Sequence, residues 1–285
     1  MYLKSAFAAL ATVALLGSPA KAQDTIKLPV IVELSGAGAT SGTNFKNGAV
    51  MALEEINAAG GILGKKIEPV ITDTASDPGK ARAAIQRAID DKPIAVFGPI
   101  FSGSVGATLG LTAEAKIPQI MGGEAGALTE QGSAYIFRTS FGQSVAMPKI
   151  ANYINDGMKA KSVAVVYVNN DFGKGGRNAI AKELESRGIK MVADLSTESG
   201  QADFAADVVK VKAANADAVF VYLNEDESAR FLIEAKKQGV TTPMVGETTL
   251  LGQKVIDLAK EAANGVRGHV GLSADAPIPG VQEFG

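Results

Sequence analysis

A stretch of small and hydroxyl-bearing residues has the composition of an anion-binding loop. It runs from an apolar segment into a helical pattern and reads Gly98-Pro99-Ile100-Phe101-Ser102-Gly103-Ser104. Free backbone N–H groups at a helix start attract anions, and the hydroxyls of Ser102 and Ser104 flank Gly103, where the backbone can approach a ligand closely. The loop lacks the Gly-Lys-Ser/Thr ending of a phosphate-binding P-loop, so a carboxylate is expected rather than a nucleotide. On these residues alone, serines that only cap the helix are an equal alternative.

Acidic residues follow three other apolar segments, where they can receive a cation. Glu124 lies in a Gly-rich loop, and Glu225 and Glu247 each follow an apolar run. Carboxylates form charge-assisted hydrogen bonds with ammonium groups, so these positions suit the amino group of a ligand. Solvent-exposed acids are the alternative, and we prefer it for Asp226 and Glu227.

The second half of the chain offers one aromatic candidate, Phe172. It lies in a Gly-rich segment, residues 169–176, that follows an apolar run and opens a helical pattern. The segment looks superficially like a nucleotide loop, but its spacing does not match G-x-G-x-x-G. We expect Phe172 to form an apolar wall of a ligand site.

The chain has few residues suited to catalysis. It contains one histidine, His269, and no cysteine, which leaves little room for Ser/His or Cys/His nucleophiles and for His/Cys metal sites. An acid pair such as Glu225 and Glu247 is able in principle to hydrolyse glycosides, but carboxylates that bind a cation need no catalytic explanation. The chain also has no Trp for stacking on sugars. We therefore expect a binding protein without enzyme activity, metal or cofactor, with a secreted hydrolase as the alternative.

Apolar β-rich runs alternate with amphipathic helical patterns and position these loops. The predicted strands are 27–34, 66–73, 94–97, 118–121, 162–168, 190–195, 218–222, 243–245 and 266–270. The predicted helices are 45–56, with Ser41 and Thr43 as caps, 80–90, 175–187, 204–213 and 228–238. This alternation predicts parallel sheets with right-handed crossovers, in which ligands bind beyond the carboxyl ends of the strands.

Length and repetition of the pattern predict two lobes. The roughly 260 residues that follow the leader exceed the usual size of one compact core, and both halves show the same βαβα order. We place the first crossover near Phe141-Gly142 and assign residues 23–141 to the first lobe and 142–270 to the second. Residues 271–285 are expected to return to the first lobe. Two facing lobes would place both sets of loops around one cleft.

The first residues predict export. Lys4 precedes a short apolar run at residues 6–16, and Ala20-Lys21-Ala22 fits the cleavage pattern of a signal peptide at residues 1–22. The run is shorter than the about 20 apolar residues that span a bilayer. The net charge is −2 and no basic block is present, which argues against nucleic acid as a partner. We expect a soluble periplasmic protein.

Together these segments resemble the Leu/Ile/Val-binding family of periplasmic solute-binding proteins, which serve ABC importers. The resemblance covers residues 26–285, and its most specific string is Asn-Ala-x-Gly-Gly-Ile-x-Gly at residues 57–64. The other matching segments are Leu34-Ser35-Gly36, Gly48-Ala49, Asp77-Pro78, the loop at residues 98–104, Leu128-Thr129, residues 171–175, Asp203-Phe204 and Gly246-Glu247.

The resemblance implies an α/β fold and a set of site residues. The fold is that of a type I periplasmic binding protein, with two Rossmann-like lobes joined by crossover hinge strands that close around a ligand. The resemblance implies that Ser102 and its neighbours hold the carboxylate of the ligand, with Glu124 and Ala125 completing that half of the site. It implies that Phe172 forms an aromatic wall and that Glu247 receives the α-ammonium. Ser41 and Glu225 fall at positions of the side-chain pocket, and the family often has an aromatic residue at the position of Glu225.

The implied function is that of a receptor that captures an amino acid, branched-chain or related. Its implied partners are the small-molecule ligand and an inner-membrane ABC permease, and we expect a monomer. An aromatic carboxylate, an amide or a urea-like solute is the alternative ligand, and a ligand sensor is an alternative role. Members of the family continue beyond the position of Gly285, so we also expect a sequence truncated at its C-terminus.

Overall fold

The apolar runs of the sequence form the strands of two parallel sheets. The computed structural model describes residues 25–273 and 275–284, so the predicted signal peptide lies outside the described residues. In both sheets every pair of neighbouring strands is parallel. The strands of the first sheet are β1 Ile26–Val32, β2 Ile67–Asp73, β3 Val96–Phe97, β4 Gln119–Met121 and β5 Ile136–Arg138. The strands of the second sheet are β6 Ser162–Val168, β7 Lys190–Thr197, β8 Ala218–Tyr222, β9 Met244–Gly246 and β10 Arg267–Gly268.

Helices connect most of the successive strands, as the alternating pattern predicts. The helices of the first lobe are α1 Ala39–Ala58, α2 Pro78–Asp90 and α3 Ser102–Glu114. Those that follow are α4 Gln143–Asn152, α5 Asp171–Ser186, α6 Ala205–Ala213, α7 Glu225–Lys237, α8 Thr248–Leu251, α9 Gln253–Ala259 and α10 Pro279–Phe284. Within the described residues, no helix combines the length and the apolar character that a membrane span requires.

The strand orders place one crevice in each lobe. The first sheet has the order β2–β1–β3–β4–β5 and the second has β10–β9–β8–β6–β7. In the first sheet, β2 lies on one side of β1 and β3 lies on its other side, so the strand order reverses at β1. In the second sheet, the order reverses at β6, which lies between β7 and β8. Parallel α/β proteins bind ligands at such reversals, outside the carboxyl ends of the strands. The loops after β1, β3, β6 and β8 therefore border these crevices, and the loops after β4 and β9 lie at the same edges of the two sheets.

The inner strands of the second sheet, β6, β8 and β9, are buried on both faces. All five residues of β8 are buried, and they alternate between two hydrophobic clusters because successive side chains of a strand point to opposite faces. Phe220 packs in one cluster with Ile180 and Leu184, whereas Val219 and Val221 belong to the other. This double burial holds the carboxyl end of β8 rigidly at the cleft.

Two connecting segments meet at the hinge. The chain passes from β5 to α4 through residues 139–142, which include Phe141 and Gly142. The backbone N–H of His269 donates to the carbonyl of Gly246 at 3.1 Å, which keeps the end of β10 on the second sheet. The rings of Phe141 and His269 pack edge to face with centroids 6.3 Å apart. The end of the second sheet thus packs directly on the first crossover.

Most predicted elements agree with the structure, but the predicted caps of the first helix are wrong. The helix begins at Ala39 with Gly38 as its N-cap, so Ser41 and Thr43 lie inside its first turns. A 3₁₀ turn at Gly36–Gly38 runs directly into the helix, which moves the helix start upstream of both hydroxyls. Strand β5 was also missed, because its three residues end in Arg138 and do not form a distinct apolar run.

Asp77 caps helix α2, and its replacement should have a measurable cost. Its side chain accepts a hydrogen bond from the backbone N–H of Lys80 at 2.8 Å, with Pro78 at the first helical position. Asp77→Ala is expected to lower the free energy of unfolding by about 1 kcal/mol in urea titrations, because one orphan donor of the helix start loses its acceptor. Asp77→Asn keeps an acceptor and should stay near the wild-type value. Equal losses in both variants would contradict the capping role.

Candidate functional site

A cavity of about 240 Å³ lies between the two lobes, at the carboxyl ends of both sheets. Six of the predicted site residues line it: Ser41, Ser102, Gly103, Ser104, Glu124 and Phe172. The other residues lining it are Ala37, Ser76, Pro78, Ile100, Phe101, Gly122, Asn170, Ser199, Asn224 and Thr249. None of these lining residues carries a positive charge.

The start of helix α3 supplies hydrogen-bond donors to the cavity. The first helical bond runs from the N–H of Val105 to the carbonyl of Phe101 at 2.9 Å. The N–H groups of Ser102, Gly103 and Ser104 precede it and are donors that a helix start leaves without an intrahelical acceptor. The hydroxyl of Ser104 is buried at the same helix start. Unpaired donors at a helix N-terminus match the needs of a carboxylate.

A buried glutamate, which the sequence analysis missed, supports this helix start. Glu33 follows β1 and is fully buried. Its carboxylate accepts the N–H of Ile100 at 3.0 Å and that of Phe101 at 3.2 Å. Burial raises the pKa of Glu33, and these backbone bonds, together with a hydrogen bond from the Ser104 hydroxyl, oppose the rise. In the sequence, the only indication of this role was that Glu33 is a single acid at the end of the apolar run of residues 27–34.

The loop after β4 is fixed through its carbonyl groups. The carbonyl of Glu124 accepts from Arg138 Nη1 at 2.7 Å and from the N–H of Gln143 at 2.9 Å, and the carbonyl of Ala125 accepts from Arg138 Nη2 at 2.8 Å. The N–H of Ala125 donates to Ser102 Oγ at 3.2 Å, which leaves the hydroxyl hydrogen of Ser102 free to donate. The backbone carbonyl of Glu124 is thus occupied, and its carboxyl is the group available to a ligand.

The carboxyl of Glu124 reaches the second lobe. Tyr222 Oη, at the end of β8, donates to Glu124 Oε2 at 3.2 Å. Burial, together with the negative charge of Glu247, raises the pKa of Glu124 to about 8. Burial also raises the pKa of Glu247. Two carboxyl groups from opposite lobes therefore face each other, and a cation between them would favour the ionised form of both.

Glu247 is placed to hold such a cation. It follows β9, is 3% exposed, and accepts a bond from Thr248 Oγ1 at 2.7 Å. Its Oε2 is buried without a hydrogen-bond partner in the described part of the chain. Nδ1 of His269 lies 3.7 Å from Glu247 Oε1, but burial lowers the pKa of this histidine and so disfavours its charged form. Among the described residues Glu247 thus has no permanently charged cation beside it, and a cation in the cleft would favour its ionised form.

Three predicted site residues do not line the cavity but interact with residues that do. Ala125 contacts Ser102, Glu247 interacts electrostatically with Glu124, and Glu225 accepts a hydrogen bond from Ser41 Oγ across the cleft. The structure thus brings all nine predicted residues to one region. Within the described residues, no group of His, Asp or Glu side chains has the arrangement of a metal site.

The prediction of a solvent-exposed acid is wrong for Glu227. Its side chain is 1% exposed and completes a capping box, because Glu227 Oε2 accepts the N–H of Asn224 at 3.1 Å. Its other oxygen accepts the N–H of Gly200. A glutamate three residues into a helix can reach back to the cap, and here that reach also buries it.

Phe172 forms an aromatic wall with a partner that the sequence analysis missed. Its ring stacks on Tyr222 with centroids 4.1 Å apart and planes at 22°. Nε2 of Gln143 donates to Tyr222 Oη at 3.1 Å and to the carbonyl of Phe172 at 2.8 Å. The aromatic pair is therefore held in place from the first helix after the crossover. The position of Tyr222 at the end of a strand was the only signal for it.

Comparison with known proteins relates this geometry to one family. A family model described as periplasmic binding protein matches residues 25–285. The leucine-, isoleucine-, valine-, threonine-, and alanine-binding protein of Pseudomonas aeruginosa is 30% identical over 273 residues, which make up 93% of this chain and 71% of that protein.

Solved structures show the same architecture. The branched-chain amino acid transporter substrate binding protein LivJ of Streptococcus pneumoniae, in complex with isoleucine, is 31% identical with a TM-score of 0.81, covering 90% of this chain and 73% of that one. A solute binding protein of an ABC transporter from R. palustris, in complex with 4-hydroxybenzoate, is 25% identical with a TM-score of 0.76, covering 84% and 66%. The chain thus spans about two thirds to three quarters of the length of these proteins.

Proposed function

This chain belongs to the periplasmic binding protein family, and on that premise we propose that it is the exported receptor of an ABC importer, capturing an amino acid between its two lobes. One observation carries the proposal. The first lobe presents unpaired donors at the start of α3, and the second presents the buried, unpartnered Oε2 of Glu247. Hydrogen-bond donors in the first lobe suit the carboxylate of an amino acid, and the carboxyl group of Glu247 in the second lobe suits its ammonium group.

The ligand carboxylate binds at the α3 start in this proposal, and the ammonium binds at Glu247 with Glu124. Ile100, Phe101 and the Phe172 ring provide apolar surface for a side chain. The relative from P. aeruginosa is named for binding leucine, isoleucine, valine, threonine and alanine, and the LivJ structure holds isoleucine. These names support an amino acid, branched-chain or related, as the ligand class.

The cellular setting is part of the same proposal. A signal peptide at residues 1–22 would deliver the protein to the periplasm, where a monomer passes its ligand to an inner-membrane ABC permease. The lobes comprise residues 23–141 and 142–270, with residues 271–285 returning to the first. The names of the relatives, which include a transporter substrate-binding protein, support the permease as partner.

An aromatic carboxylate is the second candidate ligand. The R. palustris protein holds 4-hydroxybenzoate, and the stacked pair Phe172 and Tyr222 offers aromatic surface here. Such a ligand carries no ammonium, so the buried Oε2 of Glu247 would stay unpaired at a cost of about 1–3 kcal/mol or more. The amino acid is therefore preferred.

A thermal-shift screen of the purified protein tests the receptor function. The panel contains amino acids, aromatic acids and amides. A specific ligand present at 100 times its dissociation constant should raise the free energy of unfolding by about 2.7 kcal/mol, because it binds only the folded state. Stabilisation by amino acids alone supports the proposal. A flat response across the panel contradicts it, and a response to aromatic acids alone favours the second candidate.

Ser102→Ala is expected to weaken binding of the amino acid about tenfold to a hundredfold, because the carboxylate loses a charged hydrogen bond worth about 1.5–3 kcal/mol. Calorimetric titration measures this loss directly. Ser196→Ala is the control, since Ser196 is an exposed residue of β7 away from the cavity. Equal affinities of Ser102→Ala and wild type would remove Ser102 from the site.

A further inference from the structure

Glu225 is a buried acid that its own helix does not need. It is the first residue of α7, where Asn224 and Glu227 already form the capping box. Its side chain is 6% exposed and turns towards the first lobe, where Oε1 accepts the hydrogen bond from Ser41 of α1. Glu227 satisfies both of its oxygens with backbone N–H groups, whereas Glu225 Oε2 is buried without a partner among the described residues. Oε2 of Glu225 is therefore available to accept a hydrogen bond from a ligand.

The surroundings of Glu225 do not neutralise its charge. The nearby cation is Lys254, whose Nζ forms its ion pair with Asp226 Oδ1 at 2.8 Å. One hydroxyl from Ser41 stabilises a buried carboxylate much less than a cation does. Burial accordingly raises the pKa of Glu225, with Ser41 and Lys254 opposing the rise. A buried carboxylate without a cation is costly, so a charge from outside the chain would be stabilising.

The position of Glu225 fits the side-chain end of an amino-acid ligand. Its partner Ser41 and its neighbour Asn224 line the cavity, which places the carboxyl behind the wall between α1 and α7. The start of α3 and Glu247 account for the two charged main-chain ends of the ligand. Glu225 is thus a buried acid beside the cleft that is additional to Glu124 and Glu247, which the proposed function assigns to the α-ammonium.

From this geometry we infer that Glu225, oriented by Ser41, binds a protonated amine at the end of the ligand side chain, so that a basic amino acid is the preferred ligand. The inference rests on the amino-acid receptor proposed above and narrows its ligand class. The hydroxyl of Ser41 fixes Oε1, and the amine pairs with Oε2. Because Ser41 and Glu225 come from opposite lobes, the amine is held at a contact that exists only when the cleft is closed.

Calorimetric titration with matched pairs of amino acids tests the inference. Lysine is compared with norleucine, and ornithine with norvaline, since the members of each pair differ chiefly in the terminal amine. The wild-type protein is expected to bind at least one of the basic members about tenfold or more tightly than its uncharged partner, as one charged hydrogen bond allows. Glu225→Gln should abolish that preference, because it removes the negative charge on which the preference depends. Glu261→Gln removes an exposed acid of a surface ion pair and should behave as wild type.

The outcomes separate the inference from the receptor function. Tight binding of leucine, norvaline or norleucine with weaker binding of both basic amino acids overturns the inference and leaves the receptor standing. No binding of any amino acid overturns both. A preference for the basic ligand that survives in Glu225→Gln assigns the amine to another acid and overturns the role of Glu225. Ser41→Ala, which keeps the charge but frees the carboxylate, should reduce the preference by a smaller factor, and it provides the same test should Glu225→Gln fold poorly.

Discussion

Replacing Glu247 by alanine is expected to weaken amino-acid binding by one to two orders of magnitude. The carboxylate would contribute a charge-assisted hydrogen bond to the ligand ammonium, worth about 1.5–3 kcal/mol, or roughly a 10- to 150-fold change in the dissociation constant. His269 cannot replace it, because an imidazole carries no negative charge in either protonation state. Glu124 remains in the variant but loses the negative neighbour that faces it, so it holds its proton less tightly and only partly compensates.

The measurement is calorimetric titration with the ligand found in the thermal-shift screen. Glu247→Gln separates charge from shape, since it keeps a hydrogen-bond acceptor and should lose most but not all of the affinity. Glu261→Gln again serves as the control for removal of a surface charge. Without ligand, Glu247→Ala should be at least as stable as wild type, because the variant no longer buries an unpaired carboxylate oxygen. Unchanged affinity in both variants would remove Glu247 from the ammonium site, and turnover of an amide or glycoside lost in Glu247→Gln would favour the hydrolase.

The sequence is sufficient for the parts of this structure that follow local periodicity. The strands 162–168 and 218–222 were predicted with the bounds the structure shows, because runs of β-branched residues between turn signals are distinctive. The candidate loops were found for the same reason, since each comes directly after a strand. The failure at Ser41 and Thr43 shows the limit of local rules, because two plausible caps were bypassed when a preceding turn started the helix earlier.

The supporting residues of the site could not be predicted in this way. Glu33 reaches the N–H groups of Ile100 and Phe101, 67 and 68 positions along the chain. Ser41 and Glu225 are separated by 184 positions and meet only because the two lobes face each other. Contacts between residues so far apart produce no regular spacing in the sequence, so they cannot be predicted from one sequence alone. Residues that bind through their own loop are therefore predictable, whereas residues that hold those loops in place require the fold.

Stability should fall as the pH rises towards 8, and Glu124 should be a main cause. The pKa of its carboxyl is raised from 4.5 to about 8 by burial and by Glu247. Between these values the folded protein holds a proton that the unfolded chain releases. A rise in pH therefore favours unfolding, by up to about 1.4 kcal/mol per pH unit for a single group. Above the folded-state pKa the carboxyl is ionised in both states, and the loss is complete.

Urea titrations between pH 7 and pH 8 measure this effect without interference from His269. The lowered pKa of that histidine gives the opposite slope, but only below its ordinary value of 6.5. Glu124→Gln keeps an oxygen that accepts from Tyr222 Oη and removes the titrating group, so its slope should be flatter by about 1 kcal/mol over this interval. Equal slopes in variant and wild type would show that Glu124 does not hold the proton.

Where the ligand ammonium lies between Glu124 and Glu247, binding must displace that proton. Affinity should then increase from pH 7 to pH 8 in the wild type but not in Glu124→Gln, and calorimetry in two buffers of different ionisation enthalpy should detect the proton released.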